Sequence, residues 1–544
     1  MKFEVSIEKE KVDKTLKDLE DDVVFQNIKR QAAKIKGEKL GFARGATGLP
    51  KYLGWFDIMA ITVCAVVGMG IFVKIFAVQI AVPGIGDAVP LALLVCAVPA
   101  IATALCYASL ASALPRDGGD YIFISRGLSP FFGFWASWMK WLGGAVTMGV
   151  IAYVTTDLII NLFYIIGVGQ PVIDGMRSSV GYVAITLAVL GICYLINVGR
   201  WKYYIWTIRT FFFIILFGSL LIVLPNIALS PDMFLQAATW TYGDETVSLA
   251  LVAGSAVADA HPFDLFDPAT FVDSLIVLLS SASVLFFAYN GFGTAVAVSG
   301  ETRDPRRNIP KGIISAILLI TILYFVVSVS YYRFIPWEFV VGYTTLYPDA
   351  QTSDFINVSP YAGEILLTSF VIMIALVSDI LPWMMSISRI FFAWSFDGLM
   401  PGKFSEVNKN GMPVNALTVT YIITVLTVIE SEVMGIFETL KFNTIAMLTI
   451  YIFVNITMFL LPIHKPLYYN MATFKLGRFN SLISGIGTLS AFLLAGMLIG
   501  TSFRSFIVFC FLSMIGGLIY QYNYRKQLES GIDMETTFKI LPPG

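Results

Sequence analysis

The chain has 544 residues, of which 57% are hydrophobic and 13% charged, with a formal net charge of −1. Soluble domains carry about 25% charged residues, so this composition is that of a protein embedded in a bilayer. The near-neutral balance gives no reason to expect nucleic acid or another polyanion as partner.

Residues Met1 to Leu53 are polar and mixed in sign, and read as a cytoplasmic extension. Within it, Lys11 to Lys36 has an amphipathic helical pattern, with Leu16, Leu19, Val23, Val24 and Ile28 near one face. The first apolar run begins near Trp55, which predicts an uncleaved first span in place of a cleavable signal peptide. About twelve spans follow, near 55–80, 87–113, 131–166, 180–198, 203–226, 271–299, 311–335, 359–395, 414–431, 434–462, 479–502 and 504–523. Each is long enough to cross a bilayer as helix, and the third and eighth exceed what a crossing needs.

Lys and Arg near the span ends orient the chain. With the N-terminus inside, Arg116, Arg126, Arg200, Lys202, Arg303, Arg306, Arg307 and Lys311 fall on inner loops. Lys403, Lys409, Lys465, Lys475 and Arg478 follow the same rule, and Arg525 and Lys526 begin the tail. Both termini are therefore expected in the cytoplasm of a multi-pass cell-membrane protein. The longest outer loop, about 226–270, is acidic and holds an apolar piece, Val247 to Val257, too short to cross and expected to lie on the outer face.

The first span is interrupted at Ala65-Val66-Val67-Gly68-Met69-Gly70-Ile71-Phe72. Two glycines one residue apart weaken a helix there, because Gly loses the most backbone entropy on ordering. The sixth span carries a second Gly-x-Gly in Phe286-Phe287-Ala288-Tyr289-Asn290-Gly291-Phe292-Gly293. Backbone opened inside a membrane must face protein, water or ligand. Paired breaks at corresponding places in two halves point to a transporter site.

Charges within spans are costly and default to function. Asp379, in Val377-Ser378-Asp379-Ile380-Leu381-Pro382, is the sharpest. Lys74, Lys140, Asp157 and Glu364 are others, with Lys140 and Asp157 expected near helix ends. Arg209, in the fifth span, is offset from the first interruption. The five cysteines, at 64, 96, 106, 193 and 510, lie in apolar runs without a Cys-x-x-Cys and read as buried small hydrophobes. With only two histidines, at 261 and 464, neither a metal site nor a Ser-His triad is expected, and no cofactor is.

Three further motifs flank the spans. They are Leu114-Pro115-Arg116-Asp117-Gly118-Gly119-Asp120-Tyr121, Glu301-Thr302-Arg303-Asp304-Pro305-Arg306-Arg307-Asn308-Ile309-Pro310, and Arg389 with Asp397-Gly398-Leu399-Met400-Pro401. With Gly68-Met69-Gly70-Ile71-Phe72, these resemble the amino acid–polyamine–organocation (APC) superfamily, whose pattern they follow in order and spacing from about Leu53 to Tyr524.

That resemblance implies an all-α polytopic fold: about twelve transmembrane helices, a 5+5 inverted repeat with broken helices 1 and 6, and two trailing helices. It divides the chain into the extension 1–53, a transporter domain 54–526 and a tail 527–544. Repeat one would cover about 54–228, repeat two about 271–462, and the trailing helices about 479–523. It implies alternating access around one site for a zwitterionic amino acid. Amides at Gly68, Met69 and Gly70 would take the carboxylate, since the positive end of a half-helix favours an anion. Carbonyls around Phe287, Ala288, Asn290 and Gly291 would take the ammonium. Ala65 and Val66 would line the pocket, with Phe287 as aromatic gate. Met69 stands where the family often has a small residue, commonly Ser, which leaves the carboxylate to backbone amides and favours a slim substrate. Asp379 falls near the family's cation position and would carry a coupling proton. Arg116, Asp117, Glu301 and Arg389 would form an inner gate. The expected activity is proton-coupled amino acid symport, with sodium coupling, exchange or a transporter-derived nutrient sensor as alternatives. A membrane enzyme is disfavoured by the lack of a nucleophile elbow or ligand cluster.

Overall fold

The structure is a computed structural model describing residues 47–260, 263–347, 352–356, 358–434, 436–501 and 503–542. The polar extension and its Lys11–Lys36 pattern lie outside the described residues, apart from 47–53. Among the described residues the fold is helical, with one isolated bridge between Leu53 and Thr302. Eleven helical segments are long and apolar enough to cross a membrane, and a shorter apolar helix, Val414–Ile429, makes a twelfth. This is the roughly twelve-helix polytopic arrangement expected.

The first span comprises α1 (Trp55–Cys64), α2 (Met69–Phe72) and α3 (Lys74–Ala81), with residues 65–68 interrupting it between α1 and α2 and only Val73 between α2 and α3. A 3₁₀ turn, Pro83–Ala88, leads into α4 (Val89–Ala113). Then come α5 (Asp120–Gly127), α6 (Pro130–Ile165), α7 (Gln170–Arg177), α8 (Ser179–Val198) and α9 (Trp201–Ala228). Two helices follow outside the spans, α10 (Pro231–Tyr242) and α11 (Asp244–Ala260). The sixth span is α12 (Phe271–Leu285) continued by two 3₁₀ segments, Phe286–Tyr289 and Phe292–Glu301. The second half of the chain adds α13 (Pro305–Phe334), α14 (Trp337–Leu346), α15 (Thr352–Ile356), α16 (Ala362–Phe396), α17 (Val414–Met434), α18 (Ile436–His464), α19 (Pro466–Met471), α20 (Asn480–Thr501), α21 (Phe503–Glu529) and α22 (Met534–Lys539).

Burial sorts these helices. The first span's window is 83% buried and the last span's 22%, so α1–α2 run through the centre and α21 along the rim. In a bilayer the rim faces acyl chains, so its exposed Phe503, Ile507, Phe511, Met514 and Leu518 are lipid contacts. Around the centre, α13 packs on α4 and α1, α16 on α6, and α18 on α6 and α20.

Two boundaries differ from the sequence reading. The seventh span starts at Pro305, six residues early, because Asp304 turns into the left-handed region (φ 39°) and Pro305 supplies a ready-made first helical turn. The last span runs to Glu529, since nothing after Tyr524 stops a helix until Gly531 (φ 75°).

The apolar piece at 247–257 is helical within α11 and packs along α14 by small residues. A Cβ built on Gly254 would lie 1.9 Å from Glu338 O, and one on Gly342 would lie 1.7 Å from Ala250 O. Backbones this close leave no room for a side chain. Gly342→Val should therefore cost about 1–3 kcal/mol by overpacking, read as a lower unfolding temperature of the detergent-solubilised protein. An unchanged Tm would contradict this packing.

Candidate functional site

The helix breaks where the glycines were expected to break it. Gly68 has φ −164° and ψ −121°, and α2 starts one residue later. In the sixth span, α12 tightens to 3₁₀ over Phe286–Tyr289, Asn290 is extended, and Gly291 takes φ +116°. Only glycine adopts that conformation without strain.

The two breaks touch reciprocally. A Cβ on Gly70 would lie 2.2 Å from Ala288 Cα, and one on Gly291 would lie 2.1 Å from Ala65 O. Two side chains fasten the opened backbone. Tyr324 of α13 has its hydroxyl 2.6 Å from Val66 O and 2.7 Å from Ala288 O, within reach of both breaks. Trp383 of α16 donates its indole N–H to Ala65 O at 3.2 Å. Sequence reading missed both, because each lies far along the chain from the atoms it holds.

The residues expected to meet substrate are drawn together here and buried. Ala65, Val66, Met69, Phe287, Ala288 and Asn290 are all at most 5% exposed. Asn290 is notable, since neither its Oδ1 nor its Nδ2 has a hydrogen-bond partner. Buried amides are almost always paired, so this one points to a role beyond packing. Lys74, 4% exposed, lies with Nζ 5.8 Å from the centre of the Phe287 ring.

Asp379 sits against the first break. A Cβ on Gly68 would be 3.0 Å from Asp379 Oδ2 and 3.3 Å from Ala375 O. The aspartate is 5% exposed and its Oδ1 has no hydrogen-bond partner. Pro382, three residues on, cannot donate to Ser378 O, so the helix carrying Asp379 is itself loosened at that turn.

A second buried charge network ties the other half of the sixth span. Lys140 of α6 pairs with Asp120, donates to Gly293 O at 3.3 Å, and Tyr107 donates to the same aspartate. The expectation that Lys140 lies near a helix end is corrected. It stands well inside the 36-residue α6, where the Asp120 carboxylate makes its burial tolerable. Arg209 is likewise occupied, pairing with Asp57 at 2.7 Å.

At the basic end of the bundle, Arg389 and Glu301 form a fully buried ion pair of 2.8 Å. Asp117 accepts the Gly300 N–H at 2.7 Å beside them. The Pro115–Gly119 turn docks on the sixth span through Gly118 N–H to Ala297 O at 3.1 Å. Arg116, grouped with these three on sequence, instead donates to Pro542 O at 2.7 Å and so binds the tail. Asp397 accepts from Arg126 at 2.5 Å and Tyr121 at 2.6 Å. Gly398 (φ 77°) then closes α16, with Leu399 N–H bonded to Trp394 O at 2.9 Å. The motif Asp-Gly thus combines an anchor and a helix stop.

Residues 53–518 match the family model described as amino acid permease. The chain belongs to this family. Among its relatives, "Cationic amino acid transporter 4, vacuolar" of Arabidopsis thaliana is 34% identical over 26% of this chain and 22% of its own length. "Branched-chain amino acid permease BcaP" of Bacillus subtilis is 27% identical over 40% of this chain and 45% of its own. "Amino-acid permease RocE" of the same organism is 24% identical over 58% and 60%. The permease is thus matched over less than two thirds of each of these relatives.

Two outcomes check this geometry. Tyr324→Phe removes the hydroxyl within reach of both breaks and should cost about 1–3 kcal/mol, seen as a lower Tm; wild-type stability would mean the hydroxyl holds neither carbonyl. The second concerns Asp117, whose carboxyl burial pushes up to about 7, with Glu301 adding to the rise and the Gly300 amide, Arg389 and Arg116 opposing it. The folded chain then holds this proton more tightly than the unfolded one. Its contribution is full below the ordinary value of 3.8 and is lost as pH rises through about 7. Asp117→Asn, which cannot ionise, should gain in Tm relative to wild type between about pH 4 and about pH 8. A constant difference across that range would exclude ionisation of Asp117.

Proposed function

We propose that this permease is a secondary active amino acid transporter working by alternating access, with a proton as the coupling ion. A zwitterionic substrate is held between the breaks, its carboxylate on amides at Gly68, Met69 and Gly70. Its ammonium meets carbonyls and the unpaired amide around Phe287, Ala288, Asn290 and Gly291. Ala65 and Val66 back the site, and Phe287 closes over it. Asp379 loads and releases the proton.

The observation that carries this reading is the carboxylate of Asp379 set against the opened turn at Gly68. Protonation there changes the charge directly beside the substrate's anionic end, so proton and substrate occupancy are coupled by proximity. A related protein, "Aspartate-proton symporter" of Bacillus subtilis, is 31% identical over 27% of this chain, which agrees with a proton-driven mechanism. Arg389, Glu301 and Asp117 act as the gate at the end that carries the inner loops, with Arg116 holding the tail across it. Breaking and remaking the Arg389–Glu301 pair accompanies opening, since an ion pair so buried is stable only while closed or fully solvated. The two five-helix repeats, about 54–228 and 271–462, move relative to each other around this site.

Uptake of labelled amino acids into proteoliposomes tests the proposal. An inward proton gradient should drive accumulation, and a sodium gradient alone should not. Asp379→Asn should abolish accumulation while leaving substrate-induced thermal stabilisation in place. A mutant that still concentrates substrate would assign the proton to another group, and sodium-driven uptake by the wild type would replace the coupling ion. Gly70→Leu should abolish substrate stabilisation altogether, because its side chain would enter the space held by Ala288.

A further inference from the structure

A cavity of about 780 Å³ lies away from the helix breaks, at the basic end of the bundle. Its walls are the segment around Gly48–Tyr52, the first turns of α9, Arg303, and the loop Asn408–Gly411. Five cations line it, Arg200, Lys202, Arg209, Arg303 and Lys409, and no carboxylate does. Arg209 is engaged with Asp57. The other four carry no carboxylate partner among the described residues.

Three features make this more than a solvated basic surface. First, α9 begins here, and the positive end of a 28-residue helix adds to the side-chain charge. Second, Trp201 lines the cavity at 3% exposure, and its indole N–H has no acceptor. A buried donor without an acceptor is costly and rare. Third, the cavity opens onto a lipid-facing stripe. Trp206 is on its wall, and Trp206, Phe213, Phe217, Leu220 and Leu224 follow at spacings of seven, four, three and four. That spacing is one helix face. All five are exposed, between 45% and 68%.

A basic cavity at the foot of an apolar, outward-facing stripe matches one kind of molecule. We infer that it is a binding site for an anionic phospholipid. The phosphate sits among Arg200, Lys202, Arg303 and Lys409, with the Trp201 side chain in the cavity wall. The acyl chains lie along α9. Basic pockets at the cytoplasmic face of membrane proteins are suited to such headgroups. The site adjoins the gate, since the Trp201 ring lies 5.9 Å from the guanidinium of Arg389. Lipid occupancy therefore bears on the Arg389–Glu301 pair through Trp201.

Native mass spectrometry of the full-length permease in detergent tests this, with palmitoyl-oleoyl phosphatidylglycerol and palmitoyl-oleoyl phosphatidylcholine as competing probes. Wild type should retain the anionic lipid in preference. Arg200→Gln and Lys202→Gln, each at an exposed side chain, should weaken retention roughly fivefold apiece. The pair Lys465→Gln and Arg478→Gln, at a different loop, should not. Melting in phosphatidylcholine alone confirms that each variant is folded. Trp206→Ala should reduce lipid retention by loss of the rim. Equal retention by wild type and the Arg200 and Lys202 variants would overturn the site. Equal losses from the Lys465/Arg478 pair would reduce it to general charge. Stabilisation by inorganic phosphate equal to that by the lipid would make it a site for a soluble anion and overturn the lipid assignment.

Discussion

Acyl chains offer no hydrogen bond, so every peptide group opened inside the membrane needs a partner from the protein or its ligand. The permease opens two helices at the same depth and lets them face each other. Gly70 lies on Ala288 and Gly291 on Ala65, and no larger residue fits at either glycine. Tyr324 and Trp383 reach in from α13 and α16 to carbonyls that the breaks expose. The rest of the bundle is arranged to hold these few contacts in register.

The charges follow the same logic. Several buried ions stand beside the interrupted spans, while the Arg126–Asp397 pair ties α5 to the end of α16. Asp379 abuts the first break, Lys140 and Asp120 hold the second half of the sixth span at Gly293, and Arg389 with Glu301 ends it. A buried pair gains little net stability over apolar packing, but losing one partner is expensive. Such pairs make poor glue and good latches. They suit the alternating access proposed for the central spans.

Outside the central spans, the first and last described segments converge on the same face. The segment before α1 bonds to the end of the sixth span, with Tyr52 and Leu53 N–H groups donating to Glu301 O at 2.9 and 3.0 Å. The tail returns to the turn after α4 and to α5, where Pro542 O and Ile540 O accept from Arg116 and Arg126. The cavity lined by Arg200 and Lys202 lies beside them. This face is where the tail meets the proposed gate.

The sequence by itself determined the spans, both interruptions and the membrane setting. Apolar runs and Gly-x-Gly breaks are local signals, and a bilayer enforces them without help from distant residues. It also singled out Asp379, because a lone carboxylate in an apolar run has no local excuse. It did not separate Arg116 from Asp117, since neighbours in sequence share a turn and yet point to different partners. Nor did it give Lys140 its place: the helix extends ten residues before that lysine, and its counterion Asp120 belongs to another helix. Only the tertiary structure decided which groups meet, that Tyr324 serves both breaks, and that four cations from three segments surround one cavity. Those contacts join residues tens to hundreds of positions apart, and no periodicity along a chain encodes a distance across it.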